Sequence, residues 1–131
     1  MRRFISVICF ILFFGLNNLS AQHIKVSNIQ VATSIENRQP MGVDTSFAAN
    51  VGRVFCFTRI KGATDTTQIA QVWYYKDQEK ARIELDVRSN NWRTWSSKAI
   101  LESWTGPWRV MVIDSNGNVL ATTSFKIGGE Q

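Results

Sequence analysis

The chain has 131 residues and a formal net charge of +5. Its Lys and Arg residues are scattered without a run, which argues against the basic stripe typical of nucleic-acid-binding proteins. We therefore expect no nucleic-acid partner.

Residues 1–21 have the layout of a cleaved secretory signal peptide. Arg2 and Arg3 form a basic start, Phe4–Leu16 is almost entirely apolar, and a short segment leads to the small residue Ala21. An apolar run of about 13 residues is too short to cross a bilayer, which takes roughly 20. We therefore expect cleavage before Gln22, no stable membrane insertion afterwards, and a periplasmic or secreted mature protein.

Residues 22–131 are predicted to form a single domain of about 110 residues with one core. Because the signal carries Arg2 and Arg3, the net charge of the mature chain falls by two, to about +3. Cys56 is the one cysteine left after cleavage, so no internal disulfide can form and packing must stabilise the domain. Cys56 lies within an apolar strand pattern, which predicts a buried, unreactive thiol.

The hydrophobic pattern has a period of two almost throughout, which predicts strands. About seven strands are predicted in chain order: Ile24–Ile35, Val54–Phe57, Val72–Tyr75, Arg82–Arg88, Trp92–Ser97, Trp108–Ile113 and Val119–Ile127. The segment 36–50 is predicted to be a long connection. Short strands separated by turns at this spacing predict an all-β fold, an immunoglobulin-like antiparallel β-sandwich.

Several strands carry a stronger prediction. Ile83, Leu85 and Val87 alternate with charged residues, which indicates one buried and one exposed face, and the odd-numbered residues from Val119 to Ile127 follow the same rule. Val54–Phe57 and Val72–Tyr75 are apolar at every position, which indicates either central strands covered on both sides or strands with one aromatic face turned towards a partner. Asn116-Gly117 predicts a two-residue hairpin turn.

An ordered set of motifs carries a family resemblance. The motifs are residues 51–58, Val72–Tyr75, Trp92–Lys98, Gly106–Val110 and Gly117–Leu120 with Phe125. Together they resemble the bacterial domain-of-unknown-function family 2914, over Val26 to Ile127. The resemblance implies a small all-β domain of bacterial envelope proteins with no established activity and no catalytic residues to transfer.

The residues that could carry chemistry have simpler interpretations. His23 would lie beside the new N-terminus, where chains fray. Glu84 and Asp86 share a strand face with flanking arginines, which favours a solvated charge ladder over a carboxylate pair. Asp114–Asn118 is similar to the opening of a calcium loop, but its glycine is misplaced, which favours a turn.

A serine–lysine dyad is also disfavoured, because Ser97 and Lys98 are adjacent in a strand and point to opposite faces. We therefore predict no catalytic residues, no metal site and no cofactor, and hence a protein that is not an enzyme. An enzyme would instead require Lys98, Glu84 or Asp86 to converge in a cleft.

The tryptophan-rich segment is the candidate binding surface. Arg93, Trp95 and Ser97 share one strand face and Trp92 shares the other with Thr94 and Ser96. One face must be core, and the other could stack on a sugar ring or a partner, with Arg as a donor to an anion. The predicted surface consists of Trp92, Arg93, Trp95, Lys98 and Trp104.

The sequence favours the simpler interpretation over a binding surface: Trp92, Trp95 and Trp108 are core and inter-sheet packing residues, with arginine side chains lying over their faces. We expect Trp108 to be core, since Val110 and Val112 continue its face, and Trp104 to be the most exposed tryptophan. The predicted function is a non-enzymatic extracytoplasmic accessory or interaction domain. The alternative function is a carbohydrate- or envelope-polymer-binding module, and the possible partners are an envelope protein or a polysaccharide.

Overall fold

The computed structural model describes residues 23–129. The predicted signal peptide, residues 1–21, lies outside them. The described residues form strands and no helix, so none of them forms a helix able to span a membrane. The strands are β1 (Lys25–Ala32), β2 (Ser34–Glu36), β3 (Gln39–Met41), β4 (Ser46–Phe47), β5 (Arg53–Lys61), β6 (Thr67–Tyr75), β7 (Gln78–Val87), β8 (Asn91–Ala99), β9 (Gly106–Asp114) and β10 (Val119–Ile127).

Two sheets pack face to face around the core. One has three strands in the order β1-β5-β8, and the other has five in the order β4-β10-β9-β6-β7. Neighbouring strands are antiparallel except β4 and β10, which are parallel. The predicted immunoglobulin-like antiparallel β-sandwich is confirmed, and its seven long strands correspond to the strands expected from the sequence.

The three additional strands are short and lie in or beside the segment predicted to be a connection. Asn37 and Arg38 adopt φ angles of 53° and 63°, which close a two-residue turn between β2 and β3. This β2–β3 hairpin forms its own small sheet. The prediction missed it because Asn-Arg is a weak turn signal and strands of three residues show no measurable period.

Large apolar side chains fill the space between the two sheets. Val54 and Cys56 extend from β5, and Trp73, Trp108 and Val110 extend from the opposite sheet; each is at most 2% exposed. This confirms Trp108 as a core residue. The inward positions Ile83, Leu85 and Val87 of β7 also pack as predicted.

β5 is covered on both sides, which is one of the two arrangements that its continuous apolar pattern indicates. Its even-numbered residues face the core, yet Phe57, which faces away from it, is only 2% exposed. The β2–β3 hairpin and the ring of Trp95 lie over this side of the sheet. Burial of Phe57 therefore comes from an element folded back onto the outer face of the three-stranded sheet.

The alternation predicted for β10 is wrong at the start of the strand. The pairing with β9 shifts register between Val119 and Ala121, and such a bulge inserts an extra residue that interrupts the alternation of faces. Val119 is 59% exposed, and Leu120 packs against the core instead. Phe125 and Ile127 are buried as predicted.

The hairpin between β9 and β10 is also longer than the predicted two-residue turn. The Asp114 N–H donates to the Asn118 carbonyl at 2.9 Å, and Gly117 has a φ of 86°, whereas Asn116 is not among the positive-φ residues. The Asp114 carboxylate accepts the N–H groups of Asn116 and Asn118, each at 2.9 Å. These bonds hold a wider turn.

A buried polar network joins the two sheets. Trp73 Nε1–H donates to Ser96 Oγ at 3.0 Å, and the Ser96 hydroxyl donates to Gln71 Oε1. Gln71 Nε2 donates to Thr58 Oγ1 at 3.3 Å, which donates to the Thr94 carbonyl at 2.8 Å. Because these groups are withdrawn from water, each depends on its partner for hydrogen bonding.

Cys56 is expected to resist thiol reagents in the folded protein. Its side chain is buried, and desolvation by burial raises the pKa of the thiol to about 12. Since thiolate is the reactive form, labelling by a maleimide at neutral pH should be slow in buffer and rapid in denaturant. Rapid labelling without unfolding would contradict the placement of β5.

The same raised pKa makes stability depend on alkaline pH. In the unfolded chain the thiol has its ordinary pKa of 9.0, whereas in the folded protein it keeps its proton until the pH reaches about 12. The stability that the buried thiol contributes is therefore complete below pH 9.0 and is lost as the pH rises towards 12. The free energy of unfolding would be measured with urea across this pH range. Cys56→Ala should remove the part of its decrease with pH that comes from the thiol.

Candidate functional site

The three-stranded sheet gathers basic residues that are scattered in the sequence. β1, β5 and β8 contain no Asp or Glu. In β5 the even-numbered residues Val54, Cys56, Thr58 and Ile60 are fully buried. Strand alternation therefore places the odd-numbered basic residues of β5 on the outer face of the sheet, the face turned away from the core. The basic residues of this outer face are Lys25, Arg53, Arg59, Lys61 and Arg93.

Two pairs of these cations are direct cross-strand partners. Lys25 lies opposite Lys61, and Arg59 lies opposite Arg93. Like charges in such positions repel each other. The outer face therefore carries a local excess of positive charge that an anion would relieve.

A cleft lies between the β2–β3 hairpin and this face, and we call it the hairpin cleft. It has a volume of about 290 Å³. Arg59 and Arg93 border it together with the side-chain amides of Asn28, Gln30 and Gln39, and its apolar wall includes Phe57, Pro40 and Val43. Among residues 23–129, no carboxylate borders it.

The two guanidinium groups retain free hydrogen-bonding capacity. Arg59 Nη1 donates to Asn91 Oδ1 at 3.0 Å, and Arg93 Nη1 donates to the Arg38 carbonyl at 3.2 Å. Ion pairs among residues 23–129 involve other arginines. Since each guanidinium has five N–H donors, both have a positive charge and further donors available to a ligand.

Trp95 lies on the same outer face. Its ring stacks on Phe57, with 6.3 Å between ring centroids and 15° between planes. It also borders a second groove of about 230 Å³ at the edge of β8, and Arg93 lines both this groove and the hairpin cleft. Arg93 and Trp95 are therefore brought together, and Trp92, which packs against core residues, also lines the second groove.

Lys98 and Trp104 form a separate group at the other end of β8. Trp104 packs on Tyr75 and Trp108 at centroid distances of 6.2 and 5.9 Å. The ammonium groups of Lys98 and Lys80 lie 5.2 and 5.3 Å from its ring. The ring is thus partly buried and already occupied by two cations, and it is not continuous with Trp95.

The residues considered for catalysis do not converge. Ser97 Oγ accepts a hydrogen bond from Arg53 Nη1 at 2.7 Å, while Lys98 lies over Trp104. Hydrogen bonds from Gln68 and Arg88 lower the pKa of Asp86 below its usual range, as expected for a charge ladder. Among the described residues, no group of three His, Cys, Asp or Glu side chains could hold a metal.

The sequence did not identify Arg59 or the three amides as part of a site. These residues come from β1, β3 and β5, and Arg93 comes from β8, so their proximity depends on strand pairing and on docking of the hairpin. The sequence does show that β1, β5 and β8 lack acidic residues. This absence indicates a basic sheet face only once the three strands are known to be neighbours.

Comparison with known families gives one match. Residues 66–127 fit the model of the family described as Protein of unknown function (DUF2914). The match covers 62 of the 131 residues of the chain. The resemblance drawn from the motifs is confirmed over residues 66–127, which include Arg93 and Trp95, whereas β1, the hairpin, and β5 with the motif at residues 51–58 lie outside the match.

Comparison with solved structures gives weaker likenesses. A beta-glucosidase from Listeria innocua in complex with isofagomine has 12% identity and a TM-score of 0.46, and the alignment covers 85% of this chain and 16% of that one. A Bifidobacterium adolescentis GH3 beta-glucosidase has 9% identity and a TM-score of 0.48, over 86% and 18%. This chain spans less than a fifth of either enzyme, and no activity transfers from them. No curated protein matches the sequence.

Proposed function

We propose that the protein is a non-enzymatic extracytoplasmic accessory domain that binds an anionic component of the cell envelope. The observation that carries the proposal is the outer face of the three-stranded sheet, which has five cations and no carboxylate in its strands. Such a face attracts polyanions and raises their rate of encounter.

The non-enzymatic part rests on the chemistry available. Cys56 is buried and held in the thiol form, and His23 is exposed at the start of the described chain. Glu84 is exposed on the opposite sheet, where Asp86 is paired with Arg88. A binding role uses the residues as they are placed and requires no nucleophile or base.

Carbohydrate binding is the form of this function that the hairpin cleft favours. Asn28, Gln30 and Gln39 border it with both donors and acceptors, and Trp95 offers a partly exposed ring on the same face. An envelope protein with an acidic surface is the other class of partner.

Trp95→Ala is expected to weaken retention on envelope material at least tenfold, because the ring is the largest apolar group on the proposed face. The protein, expressed from its full sequence, would be incubated with washed insoluble envelope material, and the bound fraction measured by sedimentation. The variant should remain folded and lose less than about 2 kcal/mol of stability, since Trp95 lies on the outer face rather than between the sheets.

Tyr74→Ala is the matched control, because Tyr74 is a half-buried aromatic on the opposite sheet. It should leave retention unchanged. Equal loss in both variants, or none in either, would contradict the proposed face. The exported protein should also begin at or near Gln22 by intact mass, and retention of residues 4–16 would contradict cleavage and indicate a membrane-anchored protein.

A further inference from the structure

We infer that the hairpin cleft binds a carboxylate-bearing sugar unit of an envelope polysaccharide, with Arg59 and Arg93 holding the carboxylate. The inference rests on the proposed function and goes beyond it by naming the class of ligand and the residues that contact it.

The positive charge of the cleft favours a carboxylate as the ligand. Arg59 and Arg93 are cross-strand partners, and no carboxylate borders the cleft. A ligand carboxylate between them would accept charge-assisted hydrogen bonds from both guanidinium groups and offset the repulsion between the two charges. Arg matches the planar, bidentate geometry of a carboxylate better than Lys does.

The amide side chains that border the cleft favour a sugar acid over a phosphate as the ligand. A phosphate oxygen only accepts hydrogen bonds, so it needs donors alone. Asn28, Gln30 and Gln39 border the cleft, and each amide carries an acceptor oxygen as well as N–H donors; Asn28 Nδ2–H donates to Gln30 Oε1 at 3.4 Å. Sugar hydroxyl groups both donate and accept, and they can satisfy both kinds of amide atom.

The volume of the cleft and its connection to the neighbouring groove favour one unit of a longer sugar chain. At about 290 Å³, the cleft is at the lower end of the range for small-molecule sites, which suits one sugar unit with neighbouring units outside. Arg93 also borders the groove lined by Trp92 and Trp95, in which the Asp86 carboxylate is paired with Arg88. A polysaccharide chain can therefore continue from the cleft over Arg93 towards the exposed edge of the Trp95 ring.

The test uses hexamers of galacturonate and of mannuronate, each as the free acid and as the methyl ester, which removes the charge and retains the hydroxyl groups. Titration calorimetry on the full chain at low salt should show that at least one acid binds at least tenfold more tightly than its ester. Arg59→Gln should weaken binding of that acid at least tenfold and leave ester binding nearly unchanged.

Arg82→Gln is the matched control, because Arg82 is an exposed arginine on the opposite sheet, and it should bind like the unmodified protein. Arg93→Lys provides a second variant, which retains the positive charge and removes the planar guanidinium group with its paired N–H donors. It should weaken acid binding, and melting temperatures would verify that each variant folds.

Several results would overturn the inference. Equal binding of acid and ester, or no binding of any hexamer, would exclude a carboxylate site. Equal affinity for an oligothymidylate of the same charge would indicate an undiscriminating polyanion surface. If the hexamers fail while Trp95→Ala still loses envelope retention, the inference fails and the proposed function stands; if retention is also insensitive to Trp95, both fail.

Discussion

Trp108→Ala is expected to lower the free energy of unfolding by about 3–5 kcal/mol, the cost of truncating a large aromatic side chain in a core. Trp108 is 2% exposed, and its ring lies 4.9 Å from Tyr75 and 5.9 Å from Phe125 between centroids. Its Nε1–H donates to the Trp104 carbonyl at 3.1 Å, so the substitution removes both packing and the bond that holds the loop before β9.

Urea unfolding followed by circular dichroism would measure this loss. Because small domains are stabilised by only about 5–15 kcal/mol, the variant should populate the unfolded state on mild heating. Trp95→Ala is the comparison, since Trp95 lies on the outer face and stacks only on Phe57; we expect it to cost less than about 2 kcal/mol. Equal losses in the two variants would show that Trp95 is a packing residue.

Ser96→Ala is expected to produce the second large effect. The Ser96 hydroxyl accepts from Trp73 Nε1–H and donates to Gln71 Oε1, so its removal leaves two buried groups without a partner. Each such group costs about 1–3 kcal/mol when unsatisfied. The loss should therefore exceed that of an ordinary serine truncation.

Ser97→Ala is the matched control, because Ser97 is the next residue of β8 and lies on the outer face, where it accepts from Arg53. Its substitution should change stability by no more than about 0.5 kcal/mol. A Ser96→Ala/Gln71→Leu double variant should lose less than the sum of its single variants, since both remove the same bond. Additive losses, or equal effects at Ser96 and Ser97, would contradict the network.

The alternation of residues was sufficient to predict the strands and most of their faces. Ile83, Leu85 and Val87 point inward because side chains alternate across a strand, and this rule acts within a few residues. The burial of Cys56 and Trp108 followed in the same way. At Val119 the local rule failed, because a bulge in the pairing with β9 displaced the alternation, and a bulge depends on the partner strand.

The candidate site depended on the tertiary structure. Arg59 and Arg93 are 34 positions apart and become neighbours only because β5 pairs with β8 in one register. The cleft also requires the β2–β3 hairpin to fold over Phe57. Composition and period determined by themselves that this chain would form a β-sandwich, because burial of alternating apolar residues is a local requirement. The charge of one sheet face was decided by strand order and register, which arise from contacts between segments distant in the sequence.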